Sequence, residues 1–195
     1  MYILFEGIDT CGKSTQIALI KQRYPEVLIT KEPGGTEFGK KAREILLSDS
    51  LASKRAELLL FLCDRAEHYQ EVLAVNKDKI VLSDRGFLSG IAYALANEDF
   101  DFDTLISLNT FALSSYFPDK IILFITTEET LKQRTSAKTL DGIELRGLDY
   151  LLTVQDKMQE SLSRLDIPYL LIDANDTIET IHQQIITYLA LSSLN

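Results

Sequence analysis

The stretch "FEGIDTCGKST", residues Phe5–Thr15, is the most informative segment of this chain. It contains a glycine, four intervening residues and then Gly-Lys-Ser, a spacing typical of a loop that wraps a phosphate. The apolar run Tyr2–Phe5 before it predicts a strand, and Ser14–Arg23 after it has helical spacing. This context is what the motif requires, since backbone N–H groups and a helix N-terminus then face the anion. The stretch therefore predicts a site for a nucleoside triphosphate.

The residues of this loop have distinct predicted roles. Lys13 supplies a positive charge to the β- and γ-phosphates, and the Ser14 hydroxyl is a ligand for Mg²⁺. An ordinary glycine turn between a strand and a helix would not need Gly-Lys-Ser at this offset. The residues predicted to bind ATP in the loop are Gly7, Ile8, Asp9, Thr10, Cys11, Gly12, Lys13, Ser14 and Thr15.

Strands and helices alternate along the rest of the chain. Four further continuous apolar runs predict strands at Val27–Thr30, Ile80–Ser83, Lys120–Thr126 and Tyr169–Asp173. Continuous rather than alternating apolar strands indicate a parallel sheet that is covered on both faces. The predicted helices are Ser14–Arg23, Gly39–Leu47, Lys54–Val75, Leu88–Ala96, Thr104–Ser115, Glu128–Ala137, Leu148–Leu165 and Thr177–Leu191. The fold class is therefore α/β, and residues 1–195 are expected to form one domain.

Composition narrows the class of protein. The 195 residues carry a net charge of −9, which disfavours general nucleic-acid binding because that needs a basic face. No apolar run is long enough to span a bilayer, and the first residues lack the features of a signal peptide. Two cysteines, Cys11 and Cys63, have no metal-ligand spacing and are expected to be reduced thiols. We therefore expect a cytoplasmic protein without a membrane or nucleic-acid partner.

Three classes of protein use such a phosphate loop: GTPase switches, coupled ATPases and small kinases. "NKDK" at Asn76–Lys79 resembles a guanine signature, but its aspartate is one place early and a strand follows it. A coupled ATPase usually has a carboxylate pair after an apolar strand. Here the strand ends instead in Asp84 and Arg85, a carboxylate followed by a cation. Asp84 can hold Mg²⁺ through water and Arg85 suits a phosphate. The alternative is a surface ion pair that caps the next helix, and the position beside the phosphate loop favours the functional interpretation over it.

An aromatic residue and an arginine share one face of the long predicted helix. Phe61 and Arg65 are four residues apart, so they could stack on a base and hydrogen-bond its edge. Spacing alone favours a core phenylalanine beside a snorkelling arginine. Tyr93, on the next predicted helix, could form a second aromatic wall, and on spacing alone it too would be a core residue.

Four segments in the same order resemble the bacterial thymidylate kinase family. They are "FEGIDTCGKST", "KEPGGT", "LLLFLCDRAEHY" and "SDRGFLSGIAYA", with weaker likeness in "LKQR" and "LDGIE". The resemblance implies transfer of the ATP γ-phosphoryl group to dTMP, with Mg²⁺ and ATP and dTMP as substrates. It further implies a P-loop nucleoside monophosphate kinase fold, in which helices flank a five-stranded parallel sheet, and a homodimer.

The resemblance also assigns residues. Asp9 corresponds to the carboxylate that meets the sugar 3′-hydroxyl, Phe61 to the ring that stacks on thymine, and Arg65 to the arginine at the base edge. Arg85 corresponds to the arginine on the dTMP phosphate, with Asp84 near Mg²⁺, and Tyr93 to the aromatic under the deoxyribose. The implied dTMP-binding residues are Asp9, Glu32, Pro33, Phe61, Arg65, Arg85, Ser89 and Tyr93.

This chain departs from the family pattern at three positions. Lys31 stands where most bacterial members have arginine before Glu-Pro-Gly-Gly-Thr. Thr10 stands where some members carry a catalytic arginine in the loop. The lid, expected around residues 136–147, has Gly142 in place of its usual arginine. Because phosphoryl transfer needs positive charge on the equatorial oxygens, we expect a replacement.

Arg134 is the first candidate for that charge, as a catalytic and ATP-binding residue, because it corresponds to a family lid arginine. Arg146, assisted by Lys138, is the second. Two other functions stay open at this point: a different P-loop nucleotide or deoxynucleoside kinase, and a nucleotide-binding or ATPase-type protein with an impaired lid.

Overall fold

A five-stranded parallel sheet forms the centre of the molecule. The computed structural model describes residues 1–48, 51–97, 100–135 and 147–190. The strands are β1 (Tyr2–Glu6), β2 (Leu28–Lys31), β3 (Val81–Asp84), β4 (Lys120–Ile125) and β5 (Tyr169–Asp173). Their spatial order is β2-β3-β1-β4-β5, and every pairing is parallel. The predicted α/β class and the parallel sheet are confirmed.

Eight α-helices fall within the described residues. They are α1 (Lys13–Arg23), α2 (Glu37–Leu47), α3 (Lys54–His68), α4 (Phe87–Ala96), α5 (Phe102–Ala112), α6 (Glu128–Thr135), α7 (Leu148–Ser163) and α8 (Ile178–Leu189). Two starts precede the predicted ones because polar side chains cap them. Thr36 accepts from the Gly39 N–H before α2, and Asp101 accepts from the Thr104 N–H before α5.

The long predicted helix Lys54–Val75 is not one continuous α-helix. It is α-helical to His68 and continues as a π-helical turn over Tyr69–Leu73. Apolar periodicity does not distinguish these two windings, because both keep the same face inward over such a short segment.

Both faces of the sheet are covered, as continuous apolar strands require. Along β1, Tyr2 and Leu4 join one buried cluster, and Ile3 and Phe5 join the other. This alternation explains why no residue of β1 is polar before Glu6, which is itself buried. The sheet therefore holds its strand ends rigidly, with a packed core on each side.

The carboxyl ends of three strands meet at one edge of the sheet. Asp84 pairs in register with Phe5 on one side and with Lys31 on the other. The loops that follow β1, β2 and β3 therefore start side by side, and ligands of open α/β sheets bind at this edge.

The lid falls largely outside the described residues. Of the segment 136–147, only Gly147 is described, so Lys138, Gly142 and Arg146 are not placed. Among the helices that the structure describes, none is long and apolar enough to cross a bilayer.

Candidate active site

The loop after β1 surrounds the ammonium group of Lys13. Lys13 Nζ donates to the carbonyl oxygens of Gly7 and Ile8, both at 2.9 Å, and lies 3.6 Å from Cys11 Sγ. The side chain is buried, so these carbonyls replace the water that the charge would otherwise hold. The loop thus fixes a cation at the centre of an N–H-rich concavity that suits a phosphate.

Gly7 is needed for two physical reasons. Its φ of 140° is unfavourable for any residue with a Cβ, and an added Cβ would lie 2.7 Å from the Phe124 carbonyl oxygen and 2.9 Å from Cys11 Sγ. Gly12 has φ of 98° with open space around it, so only its backbone conformation requires glycine. It directly precedes α1, whose free N–H groups point into the loop.

Ser14 and Asp84 lie together at the mouth of this loop. Ser14 Oγ donates to Asp84 Oδ2 at 3.0 Å. A hydroxyl and a carboxylate fit Mg²⁺, which prefers oxygen ligands and keeps most of its remaining positions for water and phosphate. The described residues contain no group of three or more His, Cys, Asp or Glu that could hold a metal alone. The pair therefore suits a metal that arrives with the phosphates.

Arg85 lies between the phosphate loop and the beginning of α4. Its Nη1 donates to the Gly7 carbonyl oxygen at 2.8 Å and to Ser89 Oγ at 3.1 Å. Its Nη2 lies 3.0 Å from Asp9 Oδ1, close enough for an ion pair, yet it makes no hydrogen bond among the described residues. A buried guanidinium nitrogen without a hydrogen bond is available to donate one to an anionic oxygen.

Glu6 holds Arg85 in place indirectly, through Ser89. One carboxylate oxygen accepts from the Ser89 N–H at 3.1 Å, and the other accepts from Ser89 Oγ. Burial raises the pKa of the Glu6 carboxyl, while the Ser89 hydrogen bonds and the Arg85 charge oppose that rise. Sequence analysis assigned no role to Glu6, and the structure shows that it holds Ser89, which accepts a hydrogen bond from Arg85.

A cleft opens beside Arg85. All eight residues that the resemblance assigned to dTMP line this cleft. Phe61 and Tyr93 supply its aromatic walls, and Arg43, Arg65 and Arg85 supply its cations. The sequence did not single out the other four lining residues, which are Arg43, Leu47, Gly86 and Gly90.

Arg43 lies at the boundary between this cleft and the cavity over the phosphate loop. It lines both, and its Nη1 donates to the Pro33 carbonyl oxygen at 3.3 Å. The signal in the sequence is weak, because Arg43 stands in the ordinary charged face of a helix. A cation here can reach phosphates from either side.

A buried polar network lies behind the cleft. The Glu32 carboxylate accepts from Arg65 Nε at 2.8 Å and contacts His68 Nδ1 at 2.7 Å, while His68 Nε2 contacts Thr30 Oγ1 at 2.6 Å. Although burial alone would raise it, the pKa of Glu32 is held below its ordinary value by the Arg65 charge and by His68. Glu32 therefore orients Arg65, and both of its oxygens are already engaged.

Asp64 carries the least satisfied carboxylate near this network. Its Oδ1 accepts from the Gly34 N–H at 3.1 Å, and its Oδ2 is buried with no partner among the described residues. Burial, with the Glu32 charge adding, raises the pKa of Asp64 to about 6. The proton is therefore bound more tightly in the folded chain than in the unfolded one, so its stabilising effect is lost as pH rises through about 6.

We expect Asp64→Asn to raise the free energy of unfolding more at pH 8 than at pH 5. The amide keeps an acceptor for the Gly34 N–H and never ionises, so it avoids the cost of a buried charge above pH 6. The gain at pH 8 should be about 1–2 kcal/mol. Urea unfolding at both pH values measures it, with Asp156→Asn on the exposed face of α7 as the control. An equal effect at both pH values would contradict this cause.

Arg134 bridges the phosphate loop and the loop after β5. Its Nη1 donates to the Thr10 carbonyl oxygen at 3.1 Å and its Nη2 to the Ala174 carbonyl oxygen at 2.8 Å. The structure thus places Arg134 beside the phosphate loop, with both terminal nitrogens on backbone carbonyls. Its role as a source of charge in phosphoryl transfer stays a prediction.

The fold and this edge of the sheet together define a P-loop nucleotide kinase, with a phosphate loop for one substrate and an enclosed cleft for another. A family model described as thymidylate kinase matches residues 5–185. The chain belongs to the thymidylate kinase family, whose members are phosphotransferases.

Individual relatives agree with this assignment. A thymidylate kinase of Sulfurovum sp. (strain NBC37-1) is 71% identical over 97% of this chain and 99% of its own length. A thymidylate kinase of Campylobacter jejuni subsp. doylei is 50% identical over 97% of this chain and its full length. The solved thymidylate kinase from Ehrlichia chaffeensis has a TM-score of 0.77 and covers 97% of this chain and 98% of its own. Its 24% identity supports the fold alone.

Proposed function

We propose that this chain transfers the γ-phosphoryl group of ATP to dTMP, giving dTDP and ADP. One observation carries the proposal: the Gly7 carbonyl oxygen joins the two sites, because it accepts from both Lys13 and Arg85. The cation of the phosphate loop and the cation of the cleft therefore face a common space. A donor phosphate on one and an acceptor phosphate on the other would lie next to each other.

The residues of the chain would act mainly by position and charge. Lys13 and the loop N–H groups hold the donor phosphates, and Arg85 and Arg43 hold the acceptor phosphate. Phe61 and Tyr93 enclose the base and the sugar, with Asp9 near the sugar hydroxyl. Such positioning makes the reaction effectively intramolecular, which accounts for much of the rate in phosphoryl transfer.

Mg²⁺ is the proposed metal, held by Ser14 directly and by Asp84 through water. When bound, it would neutralise charge on the phosphate oxygens. Removal of divalent ions with EDTA should abolish turnover, and addition of Mg²⁺ should restore it.

The decisive experiment is ADP release from Mg-ATP against dTMP, dUMP, dCMP, dGMP, UMP, CMP, AMP and no acceptor. Release that depends strongly on dTMP supports the proposal. Release that prefers another monophosphate would favour a different nucleotide kinase. Acceptor-independent release would favour an ATPase-type protein, the alternative that the sequence left open through Gly142.

We further propose that residues 1–195 act as one domain with a lid around 136–147, in the cytoplasm, where Cys11 and Cys63 stay reduced. Both cysteines are free thiols in the structure.

Arg134, or Arg146 with Lys138, would supply the charge that Gly142 lacks. Turnover of Arg134→Ala close to that of the unmodified enzyme would exclude the first choice.

We also propose that two copies pair through α2, α3 and α5. Four large apolar side chains are exposed on these neighbouring helices: Phe38, Ile45, Leu59 and Phe111. Exposed large apolar side chains on helices that contact each other are typical of a protein interface. Burying these side chains against a second copy would remove them from water.

We expect Leu59→Glu to convert the dimer to a monomer, because it places a charge on the exposed centre of α3. The dimer dissociation constant should rise about 100-fold or more. Sedimentation velocity over a range of concentrations measures it. Ile178→Glu makes the same change at an exposed apolar residue of α8 and serves as the control. A Leu59→Glu chain that dimerises like the control would exclude this surface.

A further inference from the structure

The guanidinium of Arg65 is fixed on two sides. Its Nε donates to Glu32 at 2.8 Å, and its Nη1 donates to Asn109 Oδ1 at 2.7 Å. The side chain is only 2% exposed, yet it lines the acceptor cleft. The hydrogen bonds described for this side chain use Nε and Nη1 but not Nη2. That nitrogen is therefore the donor available to a ligand in the cleft.

Asn109 is itself held in one orientation. It is fully buried on α5, and its Nδ2 donates to the Leu105 carbonyl oxygen at 2.8 Å. With the amide nitrogen committed to its own helix, Oδ1 faces Arg65. Asparagine is a poor choice for a helix interior and a costly one for an apolar core. Its contact with Arg65 gives a reason for it here.

Gly90 completes the arrangement from α4. A Cβ at this position would lie 3.2 Å from both Nη1 and Nη2 of Arg65. Contacts of that length are tighter than ordinary packing, and Arg65 has little room to retreat because Glu32 and Asn109 hold its other side. Glycine is unfavourable within a helix, so the close approach of the guanidinium explains it.

We propose that Asn109 and Gly90 are positioning residues that set the selectivity for the acceptor base by fixing Arg65. The inference rests on the proposed function, since it concerns the same cleft. A guanidinium only donates hydrogen bonds, so Nη2 in a fixed place favours a base edge with a keto oxygen over one with an amino group. A base without that acceptor leaves a buried donor unpaired, and such a loss discriminates strongly.

The test compares Asn109→Leu with Asn109→Asp. Leucine removes the acceptor from Arg65 at similar volume, whereas aspartate keeps Oδ1. We expect Asn109→Leu to raise the KM for dTMP about tenfold and to lower the preference for dTMP over dCMP. The KM for ATP should stay within about twofold, and Asn109→Asp should recover only part of the loss, because its second carboxylate oxygen faces the Leu105 carbonyl oxygen. Thr110→Val, which removes a hydroxyl bond to the Ile106 carbonyl on the same helix, is the control.

A double-mutant cycle shows whether Asn109 acts through Arg65. In an Arg65→Gln background, Asn109→Leu should raise the KM for dTMP no further. Additive effects in that cycle, or equal changes in the KM values for ATP and dTMP, would overturn the inference. Melting temperatures of all variants show which of them are destabilised. A loss that is only structural would leave the ratio of the kcat/KM values for dTMP and dCMP unchanged.

Gly90→Ala provides a second approach should Asn109→Leu fail to fold. It should raise the KM for dTMP about threefold or more, because the methyl group displaces the guanidinium. An unchanged KM and base preference would count against the proposal. If the unmodified chain shows no dependence on dTMP, the proposed function fails first. If it depends on dTMP and these variants behave like it, only the present inference fails.

Discussion

Lys13→Ala is expected to lower kcat/KM for phosphoryl transfer about 1,000-fold or more while the chain stays folded. The ammonium is the only side-chain cation within the phosphate loop of the described chain, and charge on the transferring group dominates this chemistry. Gly7 keeps Arg85 as a donor after the change, so the loop loses one partner rather than its framework. Coupled measurement of ADP release with dTMP tests the expected loss.

Two measurements make the Lys13 result interpretable. Circular dichroism and thermal unfolding should show a folded variant with a melting temperature lowered by only a few degrees. Lys40→Ala removes the same charge from an exposed position of α2, so it controls for net charge. A folded Lys13→Ala chain that retains the activity of the Lys40→Ala control would refute the assignment of this loop to the donor phosphates.

Arg85→Ala is expected to have the second largest effect, a fall of about 1,000-fold in kcat/KM for dTMP. The guanidinium contacts Gly7, Ser89 and Asp9 together and keeps Nη2 free of hydrogen bonds. Its loss removes the charge from the acceptor phosphate and removes the ion pair between Arg85 and Asp9. The KM for ATP should change far less, since Lys13 stays in place.

Arg85→Lys separates charge from shape. A lysine keeps the positive charge but cannot contact the same three groups, so activity should recover only partly, to about 100-fold below the unmodified enzyme. Arg55→Ala, at an exposed position of α3, controls for the loss of an arginine. Full activity in Arg85→Lys would show that charge alone is required, and an unaffected Arg85→Ala would remove this residue from the acceptor site.

The sequence predicted the fold well because its strands carry an unambiguous signal. A strand buried on both faces must be continuously apolar, and the run before the phosphate loop fixed the first strand and its helix together. The helix ends were less accurate where Thr36 and Asp101 cap them, and the π-helical turn at Tyr69–Leu73 leaves no mark in apolar spacing.

The site was only partly accessible to the sequence. The lining of the cleft followed from the resemblance, since spacing alone made Phe61 and Tyr93 look like core residues. The supporting residues Glu6, His68 and Asn109 come from distant parts of the chain, and no spacing rule connects them. Buried polar groups are chosen by the partner they meet in three dimensions, and that partner is invisible before folding.

If the two phosphates bind as proposed, the shared Gly7 carbonyl oxygen would couple binding at the two substrate sites. This oxygen accepts hydrogen bonds from Lys13 Nζ at 2.9 Å and from Arg85 Nη1 at 2.8 Å. A bound triphosphate would draw the Lys13 ammonium away from the Gly7 oxygen. Arg85 would then be the main donor to that oxygen, and the hydrogen bond between them would become stronger. Binding of the triphosphate would then hold Arg85 more firmly and raise the affinity for the acceptor. By thermodynamic reciprocity, binding of the acceptor would raise the affinity for the triphosphate by the same factor.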